Sequence, residues 1–401
     1  MDGAEKLPQG ASFWKRLLEF LLLPPNFWLL FCAQVASFWY FTHVKIVVVR
    51  LAFLRGILGA LSVAALVGLV NLLLPLPLSD YHRSVAVLAG IYILLGLSLN
   101  IIVGYAGLFQ LGHAAFYALG AYTAAILNLH LDLPLLLLIP VAALVAGFVA
   151  WLLSRPILHL RGDYFCLVTI AFGEIVRIAL NSDFAFGWLG ALWPALKDRA
   201  AWLVSGPITR GPNGLFGIDR PALFGFTFST PLRYYYLVLA FVVFSIFAIR
   251  RLENSRLGRA WLYVREDQVA AEAMGIDATQ AKLTAVVIGS AWAGVAKTLY
   301  AERYTVIAPE NFTFLESVIM FCIVVLGGSG STPGVLLGTA GMVVLPEFIR
   351  WIKDWRDGAL GVAMVLMMIV RPQGLWPSQR SRWAQAQEDG GVDDQRTAIG
   401  R

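Results

Sequence analysis

Residues 234–249, YYYLVLAFVVFSIFAI, hold no charged side chain. They run directly into residues 250–282, RRLENSRLGRAWLYVREDQVAAEAMGIDATQAK, which hold six basic and five acidic ones. An ionised side chain in hydrocarbon is costly, so the first stretch suits lipid and the second must lie in water. Within the charged stretch, Arg265 to Gly275 reads as a short helix closed by glycine. A membrane protein that places such an element on one face uses it to dock something.

The rest of the chain extends this pattern. Fifty-nine per cent of residues are hydrophobic, 14% are charged and mean hydropathy is +0.72, whereas soluble domains carry about 25% charged residues. Apolar segments lie near 57–78, 84–103, 109–128, 134–154, 163–180, 234–249, 283–300, 315–329, 334–349 and 358–370. About 20 residues at a rise of 1.5 Å each cross roughly 30 Å of hydrocarbon. The prediction is an all-α polytopic membrane protein with about ten transmembrane or partly re-entrant helices. Continuous apolar runs, rather than period-two alternation, argue against a β-barrel. The short pair flanking Gly327 to Gly334 reads as half-helices that dip in and return, which requires burial in protein or a watery cavity.

Charge orients the bundle. If residues 250–282 are cytoplasmic, parity puts the N-terminal region, the 155–162 loop and the C-terminus on the same side. Together with residues 250–282, those regions hold 19 of the 31 Lys and Arg residues, against five in the short loops opposite, as the positive-inside bias requires. The net charge of +6 is thereby explained without nucleic acid. The expected division is an N-terminal region 1–56, interfacial or one extra span; a transmembrane domain 57–377 with an extracytoplasmic loop at 181–233; and a polar cytoplasmic tail, 378–401. Cys32, Cys166 and Cys322 show neither metal spacing nor a disulfide framework.

The sequence has no phosphate-binding loop, no zinc motif and no nucleophile elbow. No catalytic residue, metal or cofactor is therefore assigned, and any ATP used is hydrolysed by another chain. Polar residues inside apolar segments are the candidates for a translocation path: Asn100, Gln110, His113, Thr169, Glu174, Arg177 and Ser329. Glu174 and Arg177, three apart, share a helix face and can pair. Small residues from Gly104 through Ala125 favour close helix packing.

The pattern Ala270-Ala271-x-x-x-Gly275 resembles the short loop motif by which importer permeases of the ATP-binding-cassette class dock their ATPases. From about Ile91 to Pro377 further blocks follow in family order. They include Gly104-Tyr105-Ala106-Gly107, Leu111-Gly112-His113-Ala114-Ala115-Phe116, Arg161-Gly162-Asp163-Tyr164-Phe165, Phe172-Gly173-Glu174, Gly211-Pro212-Asn213-Gly214, Pro309-Glu310-Asn311-Phe312, Leu326-Gly327-Gly328-Ser329-Gly330 and Arg371-Pro372-Gln373-Gly374-Leu375-Trp376-Pro377. The chain resembles the branched-chain amino-acid (leucine/isoleucine/valine) importer permeases, specifically the larger, M-type subunit. It departs from the pattern at Val269, where the broader motif has glutamate, and at Phe109 and Leu111.

The resemblance implies a non-catalytic subunit in the bacterial inner membrane that carries branched-chain or other hydrophobic amino acids. Its partners would be a related permease, two ATPase subunits, an extracytoplasmic binding protein and the lipid bilayer. Arg265, Glu266, Asp267, Ala270, Ala271 and Gly275 would form the ATPase coupling element. Two alternatives stand beside it: a urea or short-amide permease of the same family, and a secondary transporter built on Glu174 and Arg177.

Overall fold

A computed structural model describes residues 80–131, 133–158, 162–182, 209–218, 222–223, 226–228, 230–348, 358, 361–362 and 374–376. The expected segment 57–78, the N-terminal region 1–56, the tail 378–401 and most of 358–370 lie outside these residues.

Long helices dominate. In chain order they are α1 (Asp80–Leu99), α2 (His113–Leu131), α3 (Leu135–Ile157), α4 (Gly162–Asn181) and α5 (Pro231–Glu253). Two short helices, α6 (Arg256–Glu266) and α7 (Gln268–Ala273), then lead into α8 (Ala278–Tyr304). A hairpin follows, made of α9 (Phe314–Gly327) and α10 (Thr332–Thr339), with α11 (Leu345–Phe348) continuing α10. Six of these helices are long and apolar enough to cross a membrane. The all-helical architecture is the expected one. The additions are two antiparallel ladders of two-residue strands, β1 (Leu215–Phe216) with β4 (Val306–Ile307) and β2 (Ala222–Leu223) with β3 (Phe226–Thr227).

Helix α8 is the hub, packing against α1, α2 and α3. Its buried positions include Ala285, Gly289, Ser290, Ala293, Gly294 and Ala296. Helices in lipid gain little from hiding apolar surface from one another, so they associate where small residues let backbones touch. The fit is tight here. A methyl group added at Gly120 of α2 would lie 2.9 Å from the Gly294 carbonyl oxygen, and one at Gly294 would lie 2.9 Å from the Ala142 carbonyl oxygen of α3. Outward faces carry the opposite chemistry: Leu144, Phe148 and Leu152 on α3, Leu167, Ile175 and Ile178 on α4, and Phe244 on α5 are all exposed, a surface suited to hydrocarbon.

Cross-helix contacts define two ends. At one, Arg303 of α8 donates to Ser84 of α1 at 3.2 Å, and Tyr81 donates to Glu347 of α11. There β1 pairs with β4, so the Gly211-Pro212-Asn213 turn sits beside the tight turn Pro309–Phe312. The other end holds α6, α7 and the start of α8. With 27 residues, α8 separates the two ends by about 40 Å.

Two boundaries differ from the expected segments. Helix α1 runs on through a π-helical turn, Asn100–Tyr105. The next helix begins at His113 rather than at 109, because Gly107 takes a positive φ of 70° and the chain through Gly112 is non-helical. The hairpin is as short as expected. Its two arms meet through Gly334 and Gly338, four apart on α10, which press on the backbone of Gly327 and Ile323.

Replacing Gly120 by leucine forces α2 off α8. It is expected to destabilise the bundle by about 1–3 kcal/mol, read as a lower melting temperature of the purified protein. Gly341→Ala, at a glycine without positive φ where a methyl group meets only Leu326 Cδ2 at an ordinary 3.7 Å, serves as the control for glycine replacement outside the seam.

Candidate functional site

The charged element is built from caps. The Ser255 hydroxyl accepts from the Gly258 amide and starts α6, whose inner face buries Trp261 and Val264. Trp261 donates its indole N–H to Thr284 of α8 at 3.0 Å. Asp267 then leaves the helical region and caps α7: its Oδ1 accepts from the Val269 and Ala270 amides at 2.8 and 3.0 Å. Gly275 ends the motif with φ +83°, its amide bonding Glu272 O at 2.9 Å while Ile276 N reaches Ala271 O at 3.0 Å. This reversal suits glycine, which has no Cβ to clash.

Ala271 faces inward, whereas Ala270 is exposed and Val269 and Met274 are 76% and 83% exposed. Asp267, Ala270, Ala271 and Gly275 thus form one small, rigid projection with an apolar tip, and Glu266 lies exposed just before it. Arg265 turns the other way. Its guanidinium donates to the carbonyl oxygen of Gly104 in the π-helical turn and lies beside Gly330 in the α9–α10 loop.

Asn100 joins the same junction: its Oδ1 accepts from the Gly330 amide at 2.8 Å. Nearby, Tyr105 bonds Thr332 at 3.3 Å and Glu253 at 3.4 Å. The segment Gly374–Trp376 docks there too, its Leu375 and Trp376 amides bonding Leu326 O and Gly327 O at 2.8 and 2.9 Å. Of the path candidates, therefore, Asn100 and Ser329 lie at the junction beneath the charged element.

Gln110, His113 and Thr169 form a second group. The Ser98 hydroxyl donates to Leu95 O at 2.6 Å, so it accepts from His113 Nε2 at 2.8 Å. That leaves Nδ1 as the acceptor nitrogen, buried and without a hydrogen bond among the described residues. Both amide atoms of Gln110 are likewise buried and unbonded. Gly112, between them, presses against the Thr169 backbone. Non-helical chain carrying unsatisfied polar atoms among spanning helices is where water or a polar guest is accommodated. Glu174 and Arg177 stand apart, paired with each other at 2.8 Å and half-exposed on α4.

Sequence reasoning gave no role to Lys297, Glu302 or Glu316. Lys297 and Glu302 are each 2% exposed in α8, and neither Glu302 oxygen has a hydrogen bond among the described residues. The signal was available as charges inside or bordering apolar segments. Among the described residues, no group of three His, Cys, Asp or Glu is arranged to hold a metal ion.

Residues 81–370 match the protein family described as the permease component of the branched-chain amino acid transport system. Over 329 residues the chain is 42% identical to the high-affinity branched-chain amino acid transport system permease protein LivM of Salmonella typhimurium, covering 76% of this chain and 72% of the relative. The Escherichia coli LivM protein is similar to the same extent. The E. coli permease protein LivH is 25% identical over 307 residues, 72% of this chain and 92% of its own. No solved structure matches the chain significantly.

Asp267→Ala removes the side chain that bonds two amides at the start of α7. The expected cost is about 1 kcal/mol in local stability, seen as faster hydrogen exchange at the Val269 and Ala270 amides with no change at the β1–β4 ladder.

Proposed function

Because the chain belongs to the family of branched-chain amino acid transport permeases, it is a non-catalytic permease component of such a system, and we propose that it is driven through α7. In this reading α7 seats in a cleft of an ATPase subunit, and the protein pairs with a related permease. A second ATPase docks under that partner, and an extracytoplasmic binding protein delivers the amino acid. The single observation that carries the reading is the projection itself. It is a six-residue helix, fixed at both ends by Asp267 and Gly275, that presents Val269 and Met274 to solvent.

Several features support the orientation. The basic residues favour the α6–α7 end as cytoplasmic, and the docking of Gly374–Trp376 at that end supports the reading of a cytoplasmic C-terminus in the bacterial inner membrane. ATP binding would move the ATPases, α7 would carry the motion to α8, and Arg265 would carry it to the Asn100–Gly330 junction. Coupling of this kind requires the ATPases to bind the two permease states with different affinity. The path candidates Gln110, His113 and Thr169 are supported by their buried polar atoms, and Glu174 and Arg177 by their position about one and a half and two turns further along the same helix, α4.

The test is reconstitution in proteoliposomes with the partner permease, the ATPases and the binding protein, followed by uptake of labelled leucine, other amino acids and urea. ATP-dependent leucine uptake supports the reading; uptake of urea alone, or uptake without ATP, overturns it. Gly275→Pro is expected to abolish uptake while the protein stays in the membrane, because proline can neither adopt φ +83° nor donate to Glu272. Normal ATP-driven uptake by that variant removes α7 from the mechanism.

A further inference from the structure

Near the end of α8 remote from α7, Lys297 is 2% exposed inside a box of aromatic rings. Its Nζ lies 4.0 Å from the Tyr300 ring centre, 4.8 Å from that of Tyr117 and 5.7 Å from that of Phe312. Among the described residues no carboxylate oxygen comes within 4.0 Å of it and no acceptor bonds it. An ammonium group has three N–H donors, so it is surrounded by ring faces with its hydrogen bonds unmade. Glu316, in the first turn of α9, is half-buried and is the carboxylate whose charge acts on Lys297. Tyr92 of α1 holds Glu316 in place, its hydroxyl lying 3.1 and 2.9 Å from the two carboxylate oxygens. The Tyr117 hydroxyl, also buried, has no hydrogen-bond partner among the described residues.

A purely structural lysine would close on its carboxylate, because a buried charge is tolerated when it is paired and hydrogen-bonded. This one has aromatic rings about its Nζ and no carboxylate oxygen within 4.0 Å among the described residues. An unpaired cation set among aromatic rings, with an unpaired anion acting on it from a neighbouring helix, matches a ligand bearing both charges and a hydrophobic substituent. We infer that Lys297 and Glu316 form a subsite for the zwitterionic head of an amino acid. Lys297 Nζ receives the α-carboxylate, Glu316 the α-ammonium, and the faces of Tyr300 and Phe312 the apolar side chain. Phe312 comes from the Pro309–Phe312 turn directly after β4, so the ladder that pins the Gly211–Asn213 turn also sets one wall of the box. The subsite rests on the amino-acid reading of the permease and deepens it, since neutral urea carries neither charge.

The experiment uses the complete reconstituted complex and measures two quantities: the rate and KM of labelled leucine uptake, and ATP hydrolysis stimulated by leucine-loaded binding protein. Lys297→Met keeps the stem and removes the charge; Lys297→Arg keeps the charge; Glu316→Gln keeps an acceptor for Tyr92. The expected result is a fall of about tenfold or more in leucine uptake for Lys297→Met and Glu316→Gln, with stimulated ATP hydrolysis largely retained and partial rescue by Lys297→Arg. Uptake at the wild-type rate and KM in Lys297→Met overturns the subsite, as does a parallel loss of uptake and ATP hydrolysis in the variants that assemble. If Lys297→Met does not assemble, unchanged leucine transported per ATP in both Glu316→Gln and Lys297→Arg overturns it. Absence of leucine uptake by the wild-type complex is a different failure, that of the amino-acid reading itself.

Discussion

Backbone contact along α8 is the constraint on which the rest of the structure depends. Where Gly120, Gly294 and Ala142 meet, three helices approach with almost no side chain between them. Each close atom pair gains only about 0.1–0.2 kcal/mol, but the contacts continue down the helix: at Gly289 a methyl group would lie 2.6 Å from Ile102 in the π-helical turn that continues α1. Packing of this kind leaves no slack for a helix to bend or slide by small amounts. Three helices are thereby locked to one axis, and that axis begins beside the projecting α7 and ends beside Lys297.

A second constraint follows from the same environment. Backbone groups released from helical hydrogen bonding must find partners inside the protein. The chain breaks its helices near one end of the bundle, at the π-helical turn Asn100–Tyr105 and at the α9–α10 loop, where Gly328 and Gly330 take positive φ. The two breaks satisfy each other through side chains. Asn100 accepts from the Gly330 amide, and Arg265 donates to the Gly104 carbonyl oxygen. An arginine three residues before α7 therefore closes a gap between two membrane elements. Motion of the charged element has a direct polar connection to both.

Much of this was legible in the sequence, and the limits have physical causes. Apolar run length located the described spans to within a few residues, because lipid imposes composition over a whole helix. Gly275 was legible because a helix stop needs a positive φ that few residues tolerate. The non-helical stretch before His113 was not, since its composition stays as apolar as a helix and only Gly107 and Gly112 punctuate it. The pairing of Leu215 with Ile307 joins segments about ninety residues apart, and no local pattern announces such a contact. Arg265 read as a surface charge, and its inward turn depends on where the α9–α10 loop comes to rest. Lys297 was visible as a charge in an apolar segment, but its meaning needed Tyr117 from α2 and Phe312 from the following turn.

The separation of the two ends also limits how the proposed machine can work. Lys297 lies nineteen residues beyond Ala278 on one continuous helix, about 28 Å from the charged element. No side-chain relay is needed to span that distance if α8 moves as a body, and the glycine seam favours this because local deformation would create clashes at Gly289 and Gly294. A displacement applied at α7 then reaches the aromatic box nearly undiminished. Glu316, carried by α9 outside that seam, need not follow by the same amount. A small relative shift changes the Lys297–Glu316 separation, to which a ligand bridging both charges is more sensitive than one bound through a single contact. Rigidity in α8 and separation of the two charges are thus parts of one argument: the first delivers the motion, and the second converts it into a change of affinity.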